Sequence, residues 1–110
     1  MTGLKLLFGA ILVSMIAVTA WAGSQIAVWD AWEDYKANPW AVATLFDAYF
    51  GFLTFYCWLA WREPGWGTRV LWFVLIMAAG NMAMAAYVLM QLFALKPGEG
   101  VDGLFQKKAA

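Results

Sequence analysis

Histidine is absent from this chain, and with it the commonest metal and haem ligand and the side chain that titrates nearest neutral pH. Cysteine occurs once, at Cys57, which excludes an intramolecular disulfide and any cysteine-type metal spacing. Charge is scarce: Asp, Glu, Lys and Arg make up 13% of the residues, against roughly a quarter in soluble domains. The seven basic and seven acidic residues cancel, so no electrostatic case exists for nucleic acid as a partner. No nucleophile–base pair, phosphate-binding loop or nucleotide fingerprint is present. Neither a metal nor another cofactor is expected, and the prior for an enzyme falls accordingly.

What is there is apolar. Hydrophobic residues make up 65% of the 110 positions, and they collect in three long runs that contain no proline. The expected fold is an all-α integral membrane bundle of three transmembrane helices, spanning approximately residues 4–22, 40–61 and 69–95. A short interfacial helix is expected at residues 24–37 and a mobile tail at residues 97–110, all within a single membrane domain.

The central run, Trp40 to Trp61, has 22 residues and one charge, Asp47. As a helix it would reach ~33 Å, enough for a bilayer core. Asn38 and Pro39 read as its N-cap and first helical residue. The first run, Leu4 to Ala22, fits either a signal peptide ending in Ala20-Trp21-Ala22 or an uncleaved membrane helix. The uncleaved helix is preferred, because the chain retains the run from Met1.

Between these runs, Val28, Trp29, Trp32 and Tyr35 fall on one side of a helical wheel and Asp30, Glu33 and Asp34 on the other. The turn Arg62 to Thr68, rich in Pro and Gly, makes the second and third spans an antiparallel hairpin, with Thr68 as a candidate N-cap. The 27-residue third run exceeds what a bilayer needs and should tilt, ending at Lys96-Pro97-Gly98. Interface anchors are expected at Trp29, Trp32 and Trp40 on one boundary and at Trp58, Trp61, Trp66 and Trp72 on the other.

With three spans, Lys5, Arg62 and Arg69 lie on one side and Lys36, Lys96, Lys107 and Lys108 on the other, a nearly even count. The first helix and the Arg-bearing turn favour an amino terminus in the cytoplasm, which would leave the carboxyl tail outside.

Asp47 is the main candidate for function, because a carboxylate inside a span is costly. Counting rises in from each end places Asn81 of the third span at a similar depth. Thr44, Asp47, Gly51, Thr54 and Trp58 share one face, a polar and small stripe expected to turn inward. Ala79, Ala83 and Ala86, with Gly80 beside them, form a packing stripe on the third run. Asp47, Asn81, Thr44 and Thr54 could therefore hold a proton, a cation or a ligand's polar group, or could simply join helices by hydrogen bonds. Joining is favoured, because a transport path normally shows more than one ionisable group. Arg62 and Glu63 read as a solvated, snorkelling pair, and Cys57 as a small buried hydrophobe.

The segments Asn38-Pro39-Trp40, Ala43 through Phe52, Trp61-Arg62-Glu63, Val70 through Leu75 and Gly80-Asn81 resemble the small, uncharacterised three-span membrane protein families of bacteria. That resemblance implies the bacterial inner membrane and a compact bundle, and it offers no catalytic residues. Within the lipid bilayer the leading expectation is a non-enzymatic accessory or structural subunit that contacts a copy of itself or a larger membrane complex. The alternatives are a small transporter or channel subunit centred on Asp47 and Asn81, and a protein that stacks a flat apolar ligand on its tryptophans.

Overall fold

The computed structural model describes residues 2–96 and 98–108. The fold is all-α, with five helices among the described residues: α1 (Thr2–Gln25), α2 (Val28–Ala37), α3 (Pro39–Arg62), α4 (Trp66–Ala79) and α5 (Asn81–Ala94). A single 3₁₀ turn follows at Val101–Phe105.

Among the described residues two helices, not three, are long and apolar enough to cross a membrane. α1 and α3 each have 24 residues, or ~36 Å of rise. α3 starts as the sequence predicts: Asn38 Oδ1 accepts hydrogen bonds from the backbone N–H groups of Trp40 (3.0 Å) and Ala41 (3.4 Å), with Pro39 as first helical residue. The interfacial segment forms α2 as a separate helix, with its Tyr35 face half-buried against α3.

The third predicted span is broken. It divides at Gly80 into α4 and α5, of 14 residues each, or ~21 Å apiece. Gly80 has φ 55° and ψ −122°, a conformation that a residue with a Cβ adopts only under strain. The two halves fold back on each other: Trp72 stacks edge-on against Tyr87 at 5.1 Å between centroids, and Ile76 and Ala83 share one buried cluster. The hairpin tip lies against α3, where a Cβ on Gly80 would come within 2.7 Å of the Phe52 ring. Tyr49 and Tyr56 of α3 donate hydroxyl hydrogen bonds to the α4 carbonyls of Met77 (3.1 Å) and Arg69 (3.0 Å). The first of these supplies a donor to a carbonyl that the helix break leaves free. α4 begins at Trp66 without a side-chain cap, so Thr68 lies inside the helix and not at its N-cap.

α1 packs along α5 and makes almost no contact with α3. Leu4 and Phe8 reach Val88 and Leu92, and Lys5 Nζ sits 4.5 Å over the Phe93 ring, so α1 and α5 run antiparallel. The amino terminus, the end of α3, the start of α4 and the end of α5 therefore meet at one end of the molecule. The carboxyl tail joins them there and does not lie opposite, as three spans would require. Six of the seven cations are gathered at this end: Lys5, Arg62, Arg69, Lys96, Lys107 and Lys108. Only Lys36 lies at the other, beside Asp30, Glu33 and Asp34 on α2.

The described part of the tail packs against this end. Leu104 is buried against Val88 and Leu92, and the Lys108 N–H donates to the Arg62 carbonyl at 2.8 Å. Pro97, Ala109 and Ala110, which the predicted mobile tail also included, lie outside the described residues.

Candidate functional site

The predicted site residues are not brought together. Asp47, Thr44, Gly51 and Thr54 are all exposed on the face of α3 turned away from the hairpin. The expected inward stripe thus turns outward at four of its five residues, while the fifth, Trp58, packs inward. The inner face of α3 is filled by larger side chains, Phe52, Phe55, Tyr56 and Leu59, which exclude more apolar surface than Thr and Gly could. Thr44 and Thr54 bond back to the carbonyls of Trp40 and Phe50, both at 2.9 Å. Among the described residues, no side-chain hydrogen bond or ion pair involves Asp47 or Asn81. The Cβ position of Gly51 faces open space.

Asn81, the first residue of α5, lies at the edge of a cavity of about 110 Å³ between α1, α3 and α5. Phe8, Ile11, Phe55, Met84, Ala85 and Val88 form the rest of its wall, and Asp47 takes no part. Of the predicted packing stripe, Gly80 and Ala83 are buried, Ala79 and Ala86 half-buried. Cys57 is exposed and not a core residue. Trp29, Trp32, Trp40, Trp61 and Trp66 are exposed near the ends of the long helices. Trp58 and Trp72 turn inward instead and, with Phe55, enclose the Tyr87 ring edge-on.

The polar centre of the molecule is elsewhere, at the end where the cations gather. Arg62 and Glu63 are buried, 7% and 5% exposed, and are not the solvated pair that their position at a helix end implies. The Arg62 guanidinium donates from Nε and Nη2 to Gln91 Oε1 (3.2 and 3.1 Å) and from Nη1 to the carbonyls of Gly103 and Gln106 (both 2.8 Å). Its planar fork suits this arrangement, since one cation reaches three acceptors on two segments. Glu63 accepts from the Tyr87 hydroxyl at 2.7 Å and pairs with Lys108 Nζ, while its backbone carbonyl accepts from Arg69 Nε at 2.8 Å. Trp58 Nε1 donates to the Leu104 carbonyl at 3.0 Å.

All of these hydrogen bonds but the one from Arg69 join residues 24 or more positions apart. Together they tie the end of α3 to α5 and to the tail. Among the described residues every buried side-chain nitrogen and oxygen has a partner. A network of this kind holds the end of α3, α5 and the tail in fixed relation. Trp58→Phe keeps an aromatic ring but removes the Nε1 donor and part of the indole's volume. It should cost about 1 kcal/mol for the lost bond, with a cavity penalty added, and speed amide exchange in the Val101–Phe105 turn, read by hydrogen–deuterium exchange.

A sequence signal for this network exists. Tyr87 and Gln91, four apart on one helix face, are polar residues late in an apolar run, and Arg62 and Glu63 need partners of that kind. The assumption of an unbroken third span would have put them at opposite ends.

A family model described as "Protein of unknown function (DUF1475)" matches residues 5–107. The chain belongs to that family. The matched region takes in every helix but the first residues of α1, and also Arg62, Glu63, Tyr87, Gln91 and the 3₁₀ turn. No curated protein and no solved structure matches the chain.

Proposed function

We propose that this is a small, non-enzymatic integral membrane protein that works as an accessory subunit through lateral helix contacts. In this reading α1 and α3 cross the bilayer, and the α4–α5 hairpin enters from the cytoplasmic side and returns to it. Six cations at one end against one at the other favour that end as cytoplasmic. The broken backbone at Gly80 is compatible with hydrocarbon depth, because Phe52 covers it and Tyr49 supplies a donor beside it.

One observation carries the accessory role. Asp47 is exposed and unpartnered on the outer face of a helix otherwise rich in aromatics. A carboxyl group facing lipid at mid-depth costs about 2.5–3.5 kcal/mol on insertion scales. Contact with a second copy or a larger complex would remove that cost, and the small side chains of Thr44, Gly51 and Thr54 permit close approach there.

In mild detergent the protein should migrate as more than a monomer. Gly51→Leu, whose new Cβ would meet nothing within 4 Å in its own chain, should return it to monomer with its helical content unchanged. A wild-type monomer without a co-purifying partner would overturn the reading. The topology has its own check. In a Cys57→Ser background, Thr2→Cys and Gln106→Cys should react with an impermeant thiol reagent from the same side of sealed vesicles. Labelling from opposite sides would restore three spans.

The transporter alternative loses support, because Asp47 does not line the cavity that Asn81 borders. The apolar-ligand alternative has one observation in its favour, a groove of about 270 Å³ between α2 and α3 lined by Val28, Ala31, Trp32, Tyr35 and Leu45. A visible chromophore or tightly held lipid in the purified protein would support it.

A further inference from the structure

The cations at the polar end are not equivalent. Arg62 is buried with its donors engaged, and Lys108 is paired with Glu63. Lys5, Arg69, Lys96 and Lys107 have no carboxylate partner among the described residues. Three of these four sit over aromatic rings: Lys5 over Phe93, Arg69 Cζ 4.9 Å over Trp66, and Lys107 Nζ 5.9 Å over Trp61. Those rings are themselves exposed, Trp66 by 76% and Phe93 by 69%. Besides Glu63, two acids share the end, Glu99 and Asp102; Glu99 accepts from the Lys96 backbone N–H. Setting Glu99 and Asp102 against the four unpaired cations leaves an excess of positive charge.

We propose that this collar of cations on aromatic rings binds the phosphate headgroups of anionic glycerophospholipids. The chemistry fits the place. Indole rings settle at headgroup depth, and a cation held on such a ring is presented at the level of the phosphates. Clustered Lys and Arg beside membrane helices attract anionic lipid, with a contribution from each cation near the surface. At the opposite end Asp30, Glu33 and Asp34 face one cation, Lys36, already paired with Glu33, so the preference belongs to one leaflet.

The inference rests on the membrane reading above, and the two can fail separately. The full chain is reconstituted into vesicles of phosphatidylcholine mixed with phosphatidylglycerol and extracted in mild detergent, and the retained lipid is weighed by mass spectrometry. Phosphatidylglycerol should be enriched several-fold over the bulk ratio, and the enrichment should fade as salt is raised. The variant Lys5→Gln/Lys96→Gln/Lys107→Gln, which touches none of the hydrogen bonds of the Arg62 network, should retain lipid at the bulk ratio and keep the wild-type melting temperature. Bulk-ratio retention by the wild type, or enrichment unchanged in the triple variant, overturns the proposal while leaving the membrane reading intact. A chain that does not float with either vesicle overturns both.

Discussion

Gly80→Ala should destabilise this protein more than any other single methyl group added to it. Two penalties combine. A φ of 55° with ψ of −122° suits glycine alone, and holding another residue there costs about 1–3 kcal/mol. The new Cβ would also stand 2.7 Å from Phe52 Cζ and 3.2 Å from Phe52 Cε2, a clash that the ring must move to relieve. The chain has an escape that most strained sites lack. If residue 80 turns helical, α4 and α5 become one rod from Trp66 to Ala94, ~43 Å long by helical rise. That rod would carry Tyr87 and Gln91 away from Glu63 and Arg62. The expected result in membranes is therefore a second population whose residue 106 is labelled from the opposite side, with Gly80→Leu producing more of it. Adding Phe52→Ala relieves the clash and leaves the backbone strain, so it should restore only part of the wild-type labelling. Wild-type stability and one-sided labelling in Gly80→Ala would mean that the hairpin does not depend on this glycine.

Arg62→Met should release the tail. It removes a cation that serves Gln91 Oε1 and the carbonyls of Gly103 and Gln106, with a side chain of comparable reach and no donors. Each buried acceptor left unmet costs about 1–3 kcal/mol. The total is capped, because the tail can detach and give its two carbonyls to water. A net loss of about 3 kcal/mol in unfolding is expected, together with rapid amide exchange over residues 101–108 and trypsin cleavage after Lys107. Arg62→Lys should fall nearly as far, since an ammonium cannot reproduce the fork that bridges Gln91 and the tail. Protection of residues 101–108 that survives in Arg62→Met would show that Leu104 and Trp58 hold the tail by themselves.

The helices were legible where local pattern decides them. The apolar lengths of α1 and α3, the Asn38-Pro39 start and the one-sided acids of α2 all reflect interactions within a few residues. Gly80 was not legible. A lone glycine costs a helix only about 1 kcal/mol, and Ala79 and Ala83 around it made it read as a packing position. Its turn depends on Phe52, twenty-eight positions earlier, and on the pull of Arg62 and Glu63 on Gln91 and Tyr87. Asp47 was misoriented for a related reason. Polarity argued that its stripe should face inward, but the interior beside α3 holds a short hairpin with an aromatic cluster, and Phe52, Phe55 and Leu59 fill it better.

The order of residues along the chain gives the tail clasp a further meaning. Gly103, Gln106 and Lys108 follow every segment they fasten. During synthesis α4 emerges before its antiparallel partner, and it is too short to stay across a bilayer alone. Until residues 103–108 arrive, the choice between a folded hairpin and a straight rod is open at Gly80. In the membrane reading, then, the hairpin can be locked only after residues 103–108 have emerged, later than every helix they hold.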